Sequence, residues 1–588
     1  MSSLRVSYLS LAIILVVSSM NENVFAQSED ARFEKLAAQF IDEYPALSPI
    51  DATALGDHRF DSQIDDLSNA ARNKQREFYQ RWQKQLAGIS RSELSRQNQI
   101  DYSLLKRKLE HDQWNVDRLQ EWAWNPIAYT QLAGQSIYGL MSREFAPVEE
   151  RLESVAGRLE QFPRMYEQTR KNLDPKRVPQ VHAETAVKQN KGVLSIIKNM
   201  VEPELDKVSP ELKARIETAI ALATKTVLEH QEWLEQELLP NAQGDFRIGL
   251  ELYDEKLAHA LSGALTRAEI RERAEFRLKE TREEMYGIAR AVLGKEKWPE
   301  KPTPEQQQAA IVEALELANQ DIPPRDGVIE AAEKSMEITT AFIKSKDLMT
   351  IPDDPLKIIV MPEFQRGVSV AYCDSPGALE VGQQTYYAVA PLPTDWTDEQ
   401  CNSFLREYNI RSIHNLTVHE AMPGHFVQLA MSNRYPSKLR AVLASGTFIE
   451  GWACYTEQMC SDEGLLDGDP LMRLVTLKWN LRGIANAILD QNVHVNGMTR
   501  EQAMHLMTHD TFQEEREAAG KWIRAQVTSA QLSTYFVGVE EHFDMREQVQ
   551  QKWGSDFTLK KYHDTVVSFG SPPVRFVQAL LLEEAIPE

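Results

Sequence analysis

The chain has 588 residues, 42% hydrophobic and 26% charged, with 26 Gly, 27 Pro and a formal net charge of −22. This is ample for a sizeable core and excludes a disordered or low-complexity chain. The acidic balance disfavours nucleic acid and anionic lipid surfaces as partners.

In chain order, the amino terminus reads as a secretion signal. Arg5 gives the positive start, Tyr8 to Val17 is mostly apolar, and Val24-Phe25-Ala26 has the spacing of a signal-peptidase site. Cleavage near Ala26 would give a periplasmic or secreted protein. The apolar stretch is too short for a comfortable membrane span, and no later one approaches about 20 residues. No stable span is therefore expected after cleavage, nor lipid attachment, because no cysteine lies near that point. Residues 29–45, 67–88, 91–112, 147–171, 182–200, 209–238, 266–293, 304–319 and 325–345 carry helical periodicity with charged outer faces. Pro163 and Pro210 sit near breaks or first turns. Residues 356–361 and 384–390 are the best strands. Tyr387, Ala388 and Ala390 form the candidate exposed edge, which could bind a peptide backbone by strand addition. No Pro/Gly/Ser-rich linker or internal repeat divides the chain. We expect a signal over 1–26 and one helical unit over 27–588, with an amino-terminal lobe (27–345) and a catalytic lobe (346–588).

His419-Glu420-Ala421-Met422-Pro423-Gly424-His425 carries the chemistry. Two imidazoles and a distant carboxylate suit a catalytic zinc ion, and Glu420 sits where the base of such a site is needed. The histidines are six positions apart (425 − 419), which on a regular helix turns their side chains about 120° from each other. Pro423 lacks an N–H and clashes with a helical carbonyl, and Gly424 tolerates unusual dihedrals. Met422-Pro423-Gly424 therefore predicts a bulge or break that restores His425 to the metal face.

Glu450 and Glu457 follow, seven positions apart (457 − 450), within about 20° of one helix face. Glu450 is the candidate third ligand, and Glu457 the acceptor for the outer nitrogen of a ligand imidazole. Phe448, Ile449, Trp452 and Tyr455 surround both acids with apolar bulk. All four cysteines (Cys373, Cys401, Cys454 and Cys460) fall in the second half, and export would allow a Cys373–Cys401 bridge. Arg524 could hold a substrate carboxylate, although a structural salt bridge is the plainer reading. His414, His494, His509, His542 and His563 read first as ordinary surface or satisfied core histidines.

The motif pair H-E-A-M-P-G-H and E-G-W-A-C-Y-T-E resembles the bacterial family catalogued as domain of unknown function 885, a branch of the gluzincin metallopeptidases. Phe246-Arg247-Ile248-Gly249, residues 531–538, residues 557–564 and Gly570-Ser571-Pro572-Pro573 extend the resemblance over nearly the whole mature chain. More distant relatives would be thimet-type oligopeptidases, angiotensin-converting enzyme and Taq-type carboxypeptidases. The resemblance implies a mainly α, two-lobed ellipsoid with a deep channel and a small β-sheet beside the zinc helix. It also implies a late Tyr or His as oxyanion donor, for which Tyr535 and His563 are candidates. Thr534 between Ser533 and Tyr535, and Ser529 in place of an expected proline, depart from the family pattern.

These readings converge on an exported, zinc-dependent peptidase with one Zn2+ held by His419, His425 and Glu450, and no obligate protein partner. Glu420 would be the general base and Tyr535 would assist. A zinc hydrolase of non-peptide amides or esters would use the same residues. A catalytically inactive helical binding protein would have no use for Glu420.

Overall fold

The computed structural model describes residues 28–262, 265–361, 370–394 and 396–588. The secretion signal read at residues 1–26 lies outside them. The fold is mainly α, as its periodicity predicts, with one three-stranded sheet. Among the described residues no helix is long and apolar enough to cross a membrane.

Helix starts follow local chemistry. Ser28, Ser68, Ser95 and Ser209 each accept a backbone N–H of the helix that follows, and Thr266 with Glu269 and Thr303 with Gln306 form capping boxes. The stretch 147–171, expected as one helix, is two: Val148–Leu159 and Phe162–Asn172. Pro163 falls in the first turn of the second, where a missing N–H costs nothing. Helix Pro126–Met141 was not anticipated. It has no charged face and contains Gly134 and Gly139, so it lacks the contrast on which a periodicity reading depends.

The sheet has the order β1-β3-β2, with β1 Leu356–Val360, β2 Ala371–Asp374 and β3 Thr385–Val389. β1 runs parallel to β3, and β2 antiparallel to it. β3 is thus central. The expectation that Tyr387, Ala388 and Ala390 form an exposed edge is corrected: Tyr387 and Ala388 are fully buried and paired on both sides, and the Ala390 N–H donates to Val370 O. The edge strands are β1 and β2, and β2 has too few residues to show an alternation.

The largest hydrophobic cluster joins Val328 and Ile343, β3, and Val418, Phe426, Phe448 and Trp452. A second joins Tyr253, Ile270 and Ile311 to Leu481, Ile488 and Phe536. Both cross residue 345, so the core beneath the candidate site draws on both parts of the chain.

Candidate metal centre

Asn409 caps helix Ile410–Glu420 by accepting the Ser412 N–H, and Ile413, Leu416 and Val418 anchor it in the core. The helix stops at Glu420, and a new one, His425–Ser432, begins at the second histidine. Residues 421–424 form a tight turn with a cis Met422–Pro423 bond, and the Gly424 N–H donates to Val418 O at 2.9 Å. A Cβ on Gly424 would stand 1.9 Å from His419 O, so glycine is required by close backbone approach. The two extra residues of the motif are absorbed by a complete break. The Trp452 indole N–H donates to Pro423 O (3.0 Å) and ties this turn to helix Gly446–Asp462, which carries Glu450.

The break brings the imidazoles together, with ring centroids 4.7 Å apart and planes 86° apart. Glu450 Oε2 lies 3.7 Å from His419 Nε2 and 3.6 Å from His425 Nε2. Ligands bound to one tetrahedral ion at zinc distances stand about 3.3–3.6 Å apart. The spacing and the donor set of two imidazoles and a carboxylate therefore fit a single zinc ion, with a fourth position left open. His419 Nδ1 donates to Glu457 Oε1 at 2.6 Å, which fixes the tautomer that leaves Nε2 free to ligate. Glu457 is itself held by Asn415 Nδ2 (2.5 Å), and Asn415 Oδ1 accepts from Thr476 (3.2 Å). His425 Nδ1 is buried with no hydrogen-bond partner among the described residues.

Electrostatics agree with a cation-ready site. Burial favours neutral Glu450, yet the hydrogen bonds and charges of His419 and His425 hold its carboxyl well below the usual carboxylate range. Burial opposes charge on His419, but Cys454, Glu450 and Glu457 outweigh it and raise its pKa. His419, Cys454 and Glu457 form another close group around the same ring. Burial pushes the Cys454 thiol up to about 11, so without a bound cation it keeps its proton near neutrality.

Glu420 is buried beside the centre, and its Oε2 accepts the backbone N–H of Cys373 on β2 at 2.9 Å. Arg524 and Tyr535 meet each other: Arg524 Nη2 donates to the Tyr535 hydroxyl (3.1 Å) and to Gln531 Oε1 (3.0 Å). Burial raises the Tyr535 pKa and the Glu450 charge adds to it, so the phenol keeps its proton. Among the described residues no hydrogen bond joins this pair to the histidines. His563 is not brought to the centre. It is fully buried, with Nδ1 2.7 Å from Leu348 O and Nε2 2.8 Å from the Tyr455 hydroxyl. His414, His494 and His542 are likewise engaged elsewhere, with Ser335, with Ala525 and Thr528, and with Phe448. All four cysteines are free.

Sequence reasoning missed three contributors. Asn415 precedes His419 by four positions and so shares its helix face, a usable signal. The Cys373 N–H leaves no trace in a sequence. Arg143 donates to Gln384 O (2.5 Å), Asp374 O (2.9 Å) and Asp374 Oδ1 (2.7 Å), which pins β2 from more than 200 residues upstream.

The fold is shared with solved structures. A "putative lipoprotein of unknown function" from Shewanella oneidensis is 34% identical and superposes with a TM-score of 0.80 over 94% of this chain and 99% of its own. A "putative lipoprotein" from Colwellia psychrerythraea, 18% identical, shares the fold with a TM-score of 0.77 over 95% of this chain and 99% of its own. No curated protein sequence matches. The family model described as "Bacterial protein of unknown function (DUF885)" matches residues 49–581, and the chain belongs to that family.

Proposed function

We propose that this protein is an exported zinc-dependent peptidase of the gluzincin type, hydrolysing peptide bonds of oligopeptides. The reading is carried by the convergence of His419 Nε2, His425 Nε2 and Glu450 Oε2 within 3.6–3.7 Å contacts, beside a buried Glu420. When bound, zinc supplies a Lewis acid that acidifies water and polarises a carbonyl.

The chain's own residues divide the remaining work. With Oε2 fixed by the Cys373 N–H, Glu420 has a second carboxylate oxygen to accept the proton of the attacking water and return it to the leaving amine. Glu457 and Asn415 hold the His419 ring in one orientation. The neutral Tyr535 phenol is the candidate donor to the developing oxyanion, oriented by Arg524. β2, an edge strand next to Glu420, has no strand on its outer side, where an extended peptide could add. Export rests on the signal read at residues 1–26, and the lipoprotein descriptions of the two structural neighbours are in keeping with it.

The test is Glu420→Gln against wild type on mixed oligopeptides, with products identified by mass spectrometry and zinc counted in both proteins. We expect equal zinc and a loss of about 100- to 10,000-fold in turnover. Wild-type protein that hydrolyses no peptide, or hydrolysis indifferent to a chelator, removes the peptidase reading.

A further inference from the structure

We infer that His505, His509 and Asp510 form a second site for a divalent transition-metal ion, on the surface and separate from the His419–His425–Glu450 centre. The chain here leaves α-helical winding. Helix Arg500–His505 passes into a single π-turn, Leu506–Asp510, closed by Thr511 N–H donating to Leu506 O at 3.1 Å. The wider turn stacks the two rings, with centroids 4.5 Å apart and planes 27° apart. Asp510 reaches both: Oδ1 is 2.9 Å from His509 Nδ1, and Oδ2 is 3.5 Å from His505 Nδ1. One ligand atom from each of the three lies within 4.8 Å of the other two.

Two imidazoles and a carboxylate are the donor set that Zn2+, Ni2+, Cu2+ and Co2+ accept, whereas Mg2+ and Ca2+ prefer oxygen alone. The frame beneath is fixed rather than loose. Arg282 Nη1 donates to Asp510 O (2.6 Å), Gln308 Nε2 to His509 O (2.9 Å), and Arg282 Nη2 to Gln308 Oε1 (2.8 Å). These anchors come from two other helices, Arg267–Leu293 and Pro304–Ala318, so the ligand-bearing turn is held at a three-helix junction. Access is open: the histidine side chains are 63% and 51% exposed. A hollow of about 710 Å3 adjoins His509 and Asp510, lined also by Glu275, Arg282, Glu283 and Gln308, with room for the water that completes coordination. An ion bound there would bridge both rings and the carboxylate and so tighten the junction.

The experiment is equilibrium dialysis of the full chain, free of any polyhistidine tag, against Zn2+ at neutral pH. Wild type should bind two equivalents, the His505→Ala/His509→Ala variant one, and the variant with His425→Ala added none. Zn2+ should raise the Tm of His425→Ala but not that of the triple variant. Because the substituted rings are half-exposed or more, the fold should survive, and circular dichroism checks it. Asp510→Asn, which keeps shape and loses charge, should weaken the second equivalent. A His505→Ala/His509→Ala protein that binds as many equivalents as wild type overturns the site. Failure of the first centre looks different: His425→Ala would then bind as much zinc as wild type.

Discussion

Glu457 bears on the proposed metal centre through His419 alone. Its carboxylate takes the Nδ1 proton of His419 at 2.6 Å and is steadied by Asn415. Glu457→Gln keeps the size but removes the charge and offers an N–H where an acceptor is needed. Zinc affinity should fall about 10- to 100-fold, read by competition with a chromophoric chelator. Unchanged affinity would mean that the contact is packing alone. His563 and His542 act on stability instead. Burial lowers both from 6.5 to about 4 in the folded chain. Above pH 6.5 both states are neutral and the rings add no pH dependence. Between pH 6.5 and 4 the unfolded chain takes up protons that the native chain refuses, so stability falls, on the order of a few kcal/mol per ring. Urea midpoints measured over that window should decline less steeply in His563→Gln; parallel slopes would exclude this ring as a source.

At the level of elements, the segments that form the candidate centre are legible in the sequence and the support around them is not. His419, His425, Glu450 and Glu457 announce themselves because side-chain chemistry and helical spacing are both written in the sequence. So does the break at Met422-Pro423-Gly424, since no continuous helix could present both rings. The crossing of helices Gly446–Asp462 and Ser533–Trp553 is not legible. It depends on Gly451 and Gly538 meeting face to face, where a Cβ on Gly451 would stand 2.5 Å from Gly538 Cα. Nor is β2, four residues long, placed by partners far away. Arg143 grips Asp374, the residue after Cys373, and the Tyr138 hydroxyl donates to Asp374 Oδ2 at 3.2 Å. That grip sets where the Cys373 N–H meets Glu420. Arg143→Ala should keep its zinc and yet lose about 100-fold in turnover, the cost of misplacing a reacting group by about 1 Å. Wild-type kcat in this variant would detach the upstream helices from the chemistry.

Across the whole molecule, the parts on either side of residue 345 are joined through buried surface. Leu439 packs among Phe33, Phe40, Phe78 and Trp82, and Phe576 among Ile100 and Leu104. Asp101 Oδ1 accepts from Arg440 Nε at 2.6 Å, with Arg440 fully buried and also bonded to Gln97 and Phe569. Breaking a buried pair of this kind costs about 3–5 kcal/mol, because one charge is left stranded. Removing residues 28–345 would strand Arg440, uncover the faces of Leu474, Leu481 and Ile488, and release β2. A fragment of residues 346–588 contains every proposed ligand and the proposed base. It should nevertheless lack a cooperative thermal transition and fail to bind zinc at the His419 centre. Supplying residues 28–345 as a separate chain should restore both in part. A fragment that melts cooperatively with zinc bound would show that the centre is self-supporting and that the upstream helices only cover it.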